Sequence, residues 1–401
     1  MKKPIPTELV NGDRAVADHG DKGRLWLEAM WSADPLADAV VSDSFPDSSA
    51  TAAVGAALAG GVDAVTDAPQ SLRALFAVLD AEPDWVDHDR LDRAADALVQ
   101  HTAALGIVLG AASLVRGAAN TIAGKPLSLT GRYVSQPAVR SVEVGEWLRK
   151  VISPGGMRRD GYGFTYTVRV RVIHAHVRRA LVSGGFWDEA AWGVPIPQPY
   201  MAFTLAEFGH IAIEAMYKVG VRFSDRELAD IYHLWRYVGH VIGMDERLNP
   251  HDEADHIRIE ELYRLTSPGP GQDDREFVQA LTYDYLIPEL ANVLPGPYAV
   301  RLKLASKLMQ SLQRVFIGDT AADELQIPDT PLKHVMSRVG PALAVAGRGR
   351  VLLAGGPERL SKRAYRERDE EMTRMRTNYR VTHEMVDNAP PTTMRAQATA
   401  G

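Results

Sequence analysis

Three side chains on one helical stripe are the strongest candidates for chemistry in this chain. They are Arg171, His174 and Arg178, within Arg169-Val170-Arg171-Val172-Ile173-His174-Ala175-His176-Val177-Arg178-Arg179. Positions i, i+3 and i+7 face one way at 3.6 residues per turn. Val168, Val172 and Ile173 pack the rest of that helix. An imidazole taken out of water offers a neutral nitrogen to a metal, and guanidinium groups beside it can pair with carboxylates. That set suits an anionic metallo-cofactor such as haem, with His174 as the axial ligand to iron and the arginines on its propionates. The same stripe also fits an ion-paired structural helix. In the His174-Ala175-His176 pair the two rings point in different directions, so only one can serve a given metal.

Other candidates carry less. His251-Asp252-Glu253-Ala254-Asp255-His256 resembles a metal cluster by composition. Its histidines at i and i+5 lie roughly 140° apart on a helix, however. The segment follows Pro250, where acidic residues favour a helix N-terminus, so a capping and surface role is expected. His210, His233 and His240 sit on apolar helices and read as core or interface residues. Gly347-Arg348-Gly349-Arg350 and the glycines that follow lack the strand–turn–helix order of a dinucleotide site. Ala123-Gly124-Lys125-Pro126 lacks the rest of a P-loop. The chain has no H-E-x-x-H and no G-x-S-x-G.

The elements that must position these residues are helical. Ser71–Asp80 has an apolar face of Leu72, Leu75, Phe76 and Leu79. One long helix or two short ones run from His88 to Leu114, and Lys125-Pro126 then interrupts. Helices follow over 139–152, stopped by Ser153-Pro154-Gly155-Gly156, and over 164–182 with the histidine stripe. The next spans 203–219, after a proline-rich loop. Ser224 and Glu227 form a capping box. Further helices follow Pro250 and cover 275–294 and 298–317. The segment 357–380 mixes charges densely and reads as a solvated helix, with a partner-binding helix as the alternative. Residues 389–401 read as a disordered tail. No run of alternating strands and no internal repeat is present, so the expected class is all-α.

The 401 residues are 46% apolar, enough for a sizeable core. A net charge of −6 argues against nucleic acid as partner. Absence of cysteine excludes disulfides, zinc–thiolate sites, iron–sulfur clusters, cysteine nucleophiles and thiolate-ligated haem. The first residues have no apolar signal region, and the apolar run 103–115 is too short to span a bilayer. A cytoplasmic protein without a membrane span is therefore expected.

With these residues in place, the segment 147–208 resembles the latex clearing protein (rubber oxygenase) family, which is related to the oxygenase that cleaves the mycophenolic acid side chain. The resemblance rests on the histidine helix 169–178, then Trp187-Asp188, Trp192-Gly193-Val194-Pro195-Ile196-Pro197-Gln198 and Phe203-Thr204. Trp235-Arg236-Tyr237-Val238-Gly239-His240-Val241-Ile242-Gly243 extends it. Weaker likeness covers Thr130-Gly131-Arg132, Arg140 and Arg314-Val315-Phe316-Ile317-Gly318, so that it spans roughly 33–327. The resemblance implies an all-α, globin-like core with added helices. It also implies b-type haem on one proximal histidine, placed at His174, and cleavage of a carbon–carbon double bond with O₂. It suggests that Arg171, Arg178 and Arg314 hold the haem environment.

The distal side departs from the rubber-cleaving pattern. There an arginine is followed three and four residues later by lysine and threonine; here Arg140 is followed by Glu143 and Val144. The family's catalytic glutamate aligns with Gly124-Lys125-Pro126, which has no carboxylate. Arg140 is expected to orient oxygen and Glu143 to act as base, one helical turn away. The resulting expectation is a haem b oxygenase acting on a small unsaturated lipophilic molecule. It is organised as an N-terminal extension 1–32, a haem-binding domain 33–327, a helical extension 328–388 and a tail 389–401. A haem-binding sensor or carrier without turnover, and a helical scaffold without cofactor, are the competing readings.

Overall fold

The computed structural model describes residues 3–44, 49–129, 135–336, 338 and 356–382. Among them every regular element is helical, as expected. In chain order these are α1 (Gly12–Glu28), α2 (Pro35–Ser44), α3 (Ser49–Gly60), α4 (Gln70–Asp80), α5 (His88–Val99), α6 (Thr102–Gly117), α7 (Thr121–Leu129), α8 (Pro137–Val151) and α9 (Tyr162–Ser183). They continue with α10 (Glu189–Trp192), α11 (198–218), α12 (Asp225–Ile242), α13 (Glu253–Thr266), α14 (272–293), α15 (Tyr298–Ile317), α16 (Asp319–Glu324) and α17 (Pro357–Asn378).

Local chemistry sets most boundaries. Ser224 and Glu227 form the expected capping box at the start of α12, and Gly243 ends that helix at φ 91°. Asp87 caps α5 by accepting from the amides of Asp89 and Arg90. The stretch 88–117 is two helices bent by 82°, and no single helix among the described residues is long and apolar enough to cross a membrane. The apolar faces dictate the packing. Leu72, Leu75, Phe76 and Leu79 of α4 are all buried, as are Trp26, Trp235 and Phe164. Fully burying such side chains stabilises by about 1.5–3 kcal/mol each.

Three expectations are corrected. Pro126 does not interrupt a helix; it lies inside α7, whose first turn begins at Thr121. The proline-rich loop ends earlier than its composition suggests, because Pro199 sits in the first turn of α11, where its missing N–H costs nothing. The charged segment α17 is not simply solvated: it packs on α5 and α8 and buries Leu360, Ala364 and Arg368. The glycine-rich 347–355, Thr130-Gly131-Arg132 and the tail 389–401 lie outside the described residues.

The helix α9 is central. It packs against α2, α3, α8 and α12 at once. Three helices widen locally into π-turns, at Leu109–Ser113 in α6, Glu207–Ile211 in α11 and Leu281–Leu286 in α14. The first of these turns packs against both others.

Candidate active site

Arg171 anchors α9 one turn before His174. Its Nε and Nη2 donate to the two oxygens of Asp34 at 2.5 and 2.9 Å, and Nη1 donates to Val241 O at 3.2 Å. Both side chains are buried. Gly243 has to be glycine here, because a Cβ would stand 2.5 Å from Asp34 Oδ2 and 2.6 Å from Arg171 Nε. The Trp-Gly-x-Pro-Ile-x-Gln loop braces the same junction. Gln198 donates to Ala33 O and Gly243 O and accepts from the Asp245 amide. Trp187 Nε1 donates to Gly193 O at 2.7 Å. Gly193, at φ 76°, lets Met30 O approach to where a Cβ would lie. This motif thus fixes the start of α2, the end of α12 and α9 in one register.

His174 follows on that rigid helix. Burial pushes its imidazole down to about 4, Arg178 pushes in the same direction, and Asp34 opposes them. The ring is therefore neutral at ordinary pH. Nδ1 is sealed from solvent with no hydrogen-bond partner. The residue nonetheless keeps some accessible surface, together with Val170, Ile173 and Val177 on the same stripe. His176 faces elsewhere, with its Nε2 3.4 Å from Thr51 Oγ1 on α3.

Arg178 differs from Arg171. Its Nε donates to Asp38 at 2.7 Å, while Nη2 lies near the same oxygen but off the bonding angle. Nη1 and Nη2 are both buried without a hydrogen bond. A buried guanidinium with unspent donors has capacity for a further anion. The structure does not bring Arg314 to this cluster. Its donors are spent on Asp319, Asp323, Ile327 O and Pro328 O, a turn at the end of α15.

On α8, Arg140 Nη1 donates to Glu143 Oε2 at 2.6 Å, and the Glu143 side chain is fully buried. The charge of Arg140 reaches His174. The adjoining face of α8 (Ser141, Val144, Gly145, Leu148) lines a cavity of about 930 Å³ that Arg140 and Glu143 do not line. Leu109, Ser113 and Leu114 of α6, Tyr285 and Leu286 of α14, and Met372 of α17 also line it, together with the charged Arg149, Arg222, Glu289 and Arg368. All three π-turns border it, and such turns often mark functional sites.

Sequence reasoning missed Glu207. This carboxyl lines the cavity at the first position of the α11 π-turn. Burial pushes it up to about 8, opposed by the Thr204 hydroxyl one turn earlier. Its Oε1 occupies the place where a side chain at Gly117 would begin, 2.4 Å from an ideal Cβ. Thr204 itself is exposed although the rest of Gln198–Ala206 is buried. The available signal was a lone carboxylate inside Tyr200-Met201-Ala202-Phe203-Thr204-Leu205-Ala206-Glu207-Phe208.

His233, His240 and His210 have other partners, whereas both ring nitrogens of the buried His256 are without a hydrogen bond. His233 Nε2 accepts from the Asp87 amide at 3.1 Å. His240 stacks on Tyr237 and faces Glu246. His210 lies 3.8 Å from Glu253 and Glu260. In the 251–256 segment Asp252 caps α13, as expected, but His256 is not at the surface; it is fully buried. No cluster of three or more His, Asp or Glu that could hold a metal occurs among the described residues.

Comparison with known proteins accords with this arrangement. The fold is similar to the structure of latex clearing protein LCP in the closed state, with a TM-score of 0.58 at 18% identity over 83% of this chain and 88% of that one. The sequence is 25% identical to the rubber oxygenase of Streptomyces sp. (strain K30) over 199 residues, which is 48% of this chain and 46% of that protein's length. Residues 98–347, most of the chain and including His174, Arg140 and Glu207, match the family described as ER-bound oxygenase mpaB/B'/Rubber oxygenase, catalytic domain, and the chain belongs to that oxygenase family.

Proposed function

We propose that this protein is a haem b oxygenase that uses O₂ to oxidise or cleave a C=C bond of a small unsaturated apolar molecule. The observation that carries the reading is His174, a neutral imidazole with an unpartnered nitrogen on a partly accessible stripe of α9. The donor set fits the group: His174 would ligate iron and the unspent donors of Arg178 would meet a propionate. Bound haem supplies O₂ activation, and cleavage inserts both oxygen atoms to give two carbonyl ends.

The chain's own residues do the rest. Arg171 and Asp34 hold α9, and with it the backbone that carries His174, in place. Arg171 acts by positioning, since its Nε, Nη1 and Nη2 are each committed within the protein. Glu143 fixes the guanidinium of Arg140, which is the hydrogen-bonding group offered on this face of α8, and it can take or return a proton at Oε2. Val144 gives the cavity an apolar side chain where the rubber-cleaving pattern has threonine.

The test is the absorption spectrum of protein produced with haem precursor, beside His174→Ala. A Soret band that shifts on reduction and carbon monoxide, and is lost in the variant, supports the reading. A colourless wild type that cannot be reconstituted overturns it. Unchanged turnover in Glu143→Gln at constant haem content removes Glu143 as the base. One observation favours a non-catalytic haem sensor or carrier: Gly124-Lys125-Pro126 offers no carboxylate, and Glu143 is spent on Arg140. Oxygen consumption with an alkene separates the two.

A further inference from the structure

The turn between α14 and α15 exposes side chains that a protein usually buries. Single apolar groups on a surface are ordinary, but a cluster of them marks an interaction site. Val293, Tyr298, Val300 and Leu304 fall within twelve residues of chain, and all four are exposed. Val293 and Val300, at 76% and 60%, are the two most exposed large aliphatic side chains among the described residues. The link between the helices, Leu294-Pro295-Gly296-Pro297, has no charged group.

On α15 the exposed side is one stripe. Val300, Lys303, Leu304 and Lys307 stand at i, i+3, i+4 and i+7 and are all exposed. The opposite side, Ala305, Met309, Leu312 and Phe316, is buried. Charge sets this region apart as well. The chain carries −6 overall, yet from Leu290 to Gly318 it has Arg301, Lys303, Lys307 and Arg314 and no Asp or Glu. Arg314 is spent on Asp319 and Asp323, and Arg301 lies over the Tyr298 ring at 5.4 Å. Neither Lys303 nor Lys307 has an ion-pair partner among the described residues.

We propose that the α14–α15 turn and this stripe of α15 form a docking face for the surface of an anionic phospholipid bilayer. The valines and Leu304 enter the boundary between headgroups and acyl chains. Tyr298 sits at headgroup level, where an amphipathic ring is favoured, and the lysines reach the phosphates. A second copy of this chain fits the face less well, because two cationic stripes repel. Val293 also lines the cavity, so the docking face adjoins it. Delivery of an apolar substrate from the bilayer to that cavity rests on the proposed function; the docking itself does not.

The chain has no cysteine, so Val300→Cys carries an environment-sensitive fluorophore at one place only. Val182→Cys, at the exposed end of α9, carries it elsewhere. The protein is mixed with vesicles of phosphatidylcholine, alone or with phosphatidylglycerol, and emission and co-sedimentation are read. The expected result is a blue shift at 300 and not at 182, only with phosphatidylglycerol present, and weakened by salt. In unlabelled protein, Lys303→Gln with Lys307→Gln lowers partitioning about 25-fold, at about fivefold per lysine. Val293→Ser with Val300→Ser lowers it about tenfold. These side chains are on the surface, so both double variants are expected to melt as wild type does. Wild type that stays in the supernatant, equal shifts at the two labelled sites, or double variants that sediment like wild type overturn the proposal. Self-association abolished by the valine pair, without vesicle binding, assigns the face to a second copy and overturns it too. A colourless protein that still binds vesicles removes the haem reading and leaves the docking face standing.

Discussion

Arg171 and Glu207 are both ionisable side chains enclosed in the middle of helices, and the protein treats them in opposite ways. Arg171 has a bidentate carboxylate, a backbone oxygen and a glycine cut to its shape. Glu207 has no cation and is left neutral beside an empty volume. The first arrangement fixes a wall; the second leaves a carboxyl beside the Thr204 hydroxyl with no cation to pair it. Arg178 repeats the contrast within one helix, since seven residues beyond the saturated Arg171 it keeps two buried nitrogens without a hydrogen bond. Saturation marks the scaffold, and unspent capacity marks where something else binds.

Breaking the saturated wall has the largest expected effect. Asp34→Asn leaves the Arg171 charge buried without its partner and costs about 3–5 kcal/mol of folding stability. Chemical denaturation measures this. The double change Asp34→Leu with Arg171→Met removes both charges and recovers most of the loss. If the double variant is as unstable as the single one, the pair is more than a clamp for α9.

Glu207 sharpens the comparison through pH. Its carboxyl titrates from an ordinary 4.5 in the unfolded chain to about 8 in the folded one. Near pH 4 and below, both states hold the proton. As pH rises from there to 8, the unfolded chain ionises while the folded chain does not, so stability falls, and above 8 the full penalty is carried. Each unit is about 1.36 kcal/mol, which sets an upper bound on the order of 3–5 kcal/mol. The accessible surface of Glu207 opens on the cavity, and water there moves the effect toward the lower end. Glu207→Gln is therefore expected to match wild type near pH 5 and exceed it at pH 9. Parallel thermal-melting profiles for the two proteins across that range would remove the buried-carboxyl assignment.

Arg178→Met is a smaller change for the fold. Its partner Asp38 is partly solvated, and exposed or half-exposed pairs contribute about 1 kcal/mol or less. The expected outcome is near-native melting with faster haem loss to an acceptor protein, by about tenfold for one charge-assisted bond. Arg171→Met is expected to give the reverse pattern, with a large loss of stability. Equal haem loss in both variants would erase the distinction drawn between them.

These two walls were not equally legible in the sequence. The α9 wall announces itself by spacing: Arg171, His174 and Arg178 share a stripe because a helix repeats every 3.6 residues. Capping signals such as Ser224 and Glu227 are local for the same reason. The α11 wall is assembled from segments distant in the chain. Glu207 meets Gly117, and lines one cavity with Val144 and Leu286, only after α6, α8 and α14 have packed. The three π-turns have no periodic signature, since each inserts one residue into an otherwise ordinary helical pattern. Resemblance supplied Arg314, and the structure spends it elsewhere, because a motif carries residue types but not which donors remain unspent.

The mildest test concerns the place kept for the Glu207 carboxyl. Gly117 closes α6, and a methyl there would stand 2.4 Å from Glu207 Oε1. The clashing atom is the end of a side chain that can rotate, so Gly117→Ala need not distort the backbone. Alanine also favours the helix over glycine by about 1 kcal/mol, which offsets part of the crowding. Folding stability at pH 6 is thus expected to change by about 1 kcal/mol or less. The carboxyl, however, must swing further into the cavity, where more water reaches it. That lowers its folded pKa toward the ordinary range, and the fall in stability with rising pH shrinks in step. A carboxyl vibration that titrates at lower pH in Gly117→Ala than in wild type, read by infrared difference against Glu207→Gln, is the expected signature. An unshifted band would mean that Gly117 serves packing alone and that burial by the other walls sets the state of Glu207.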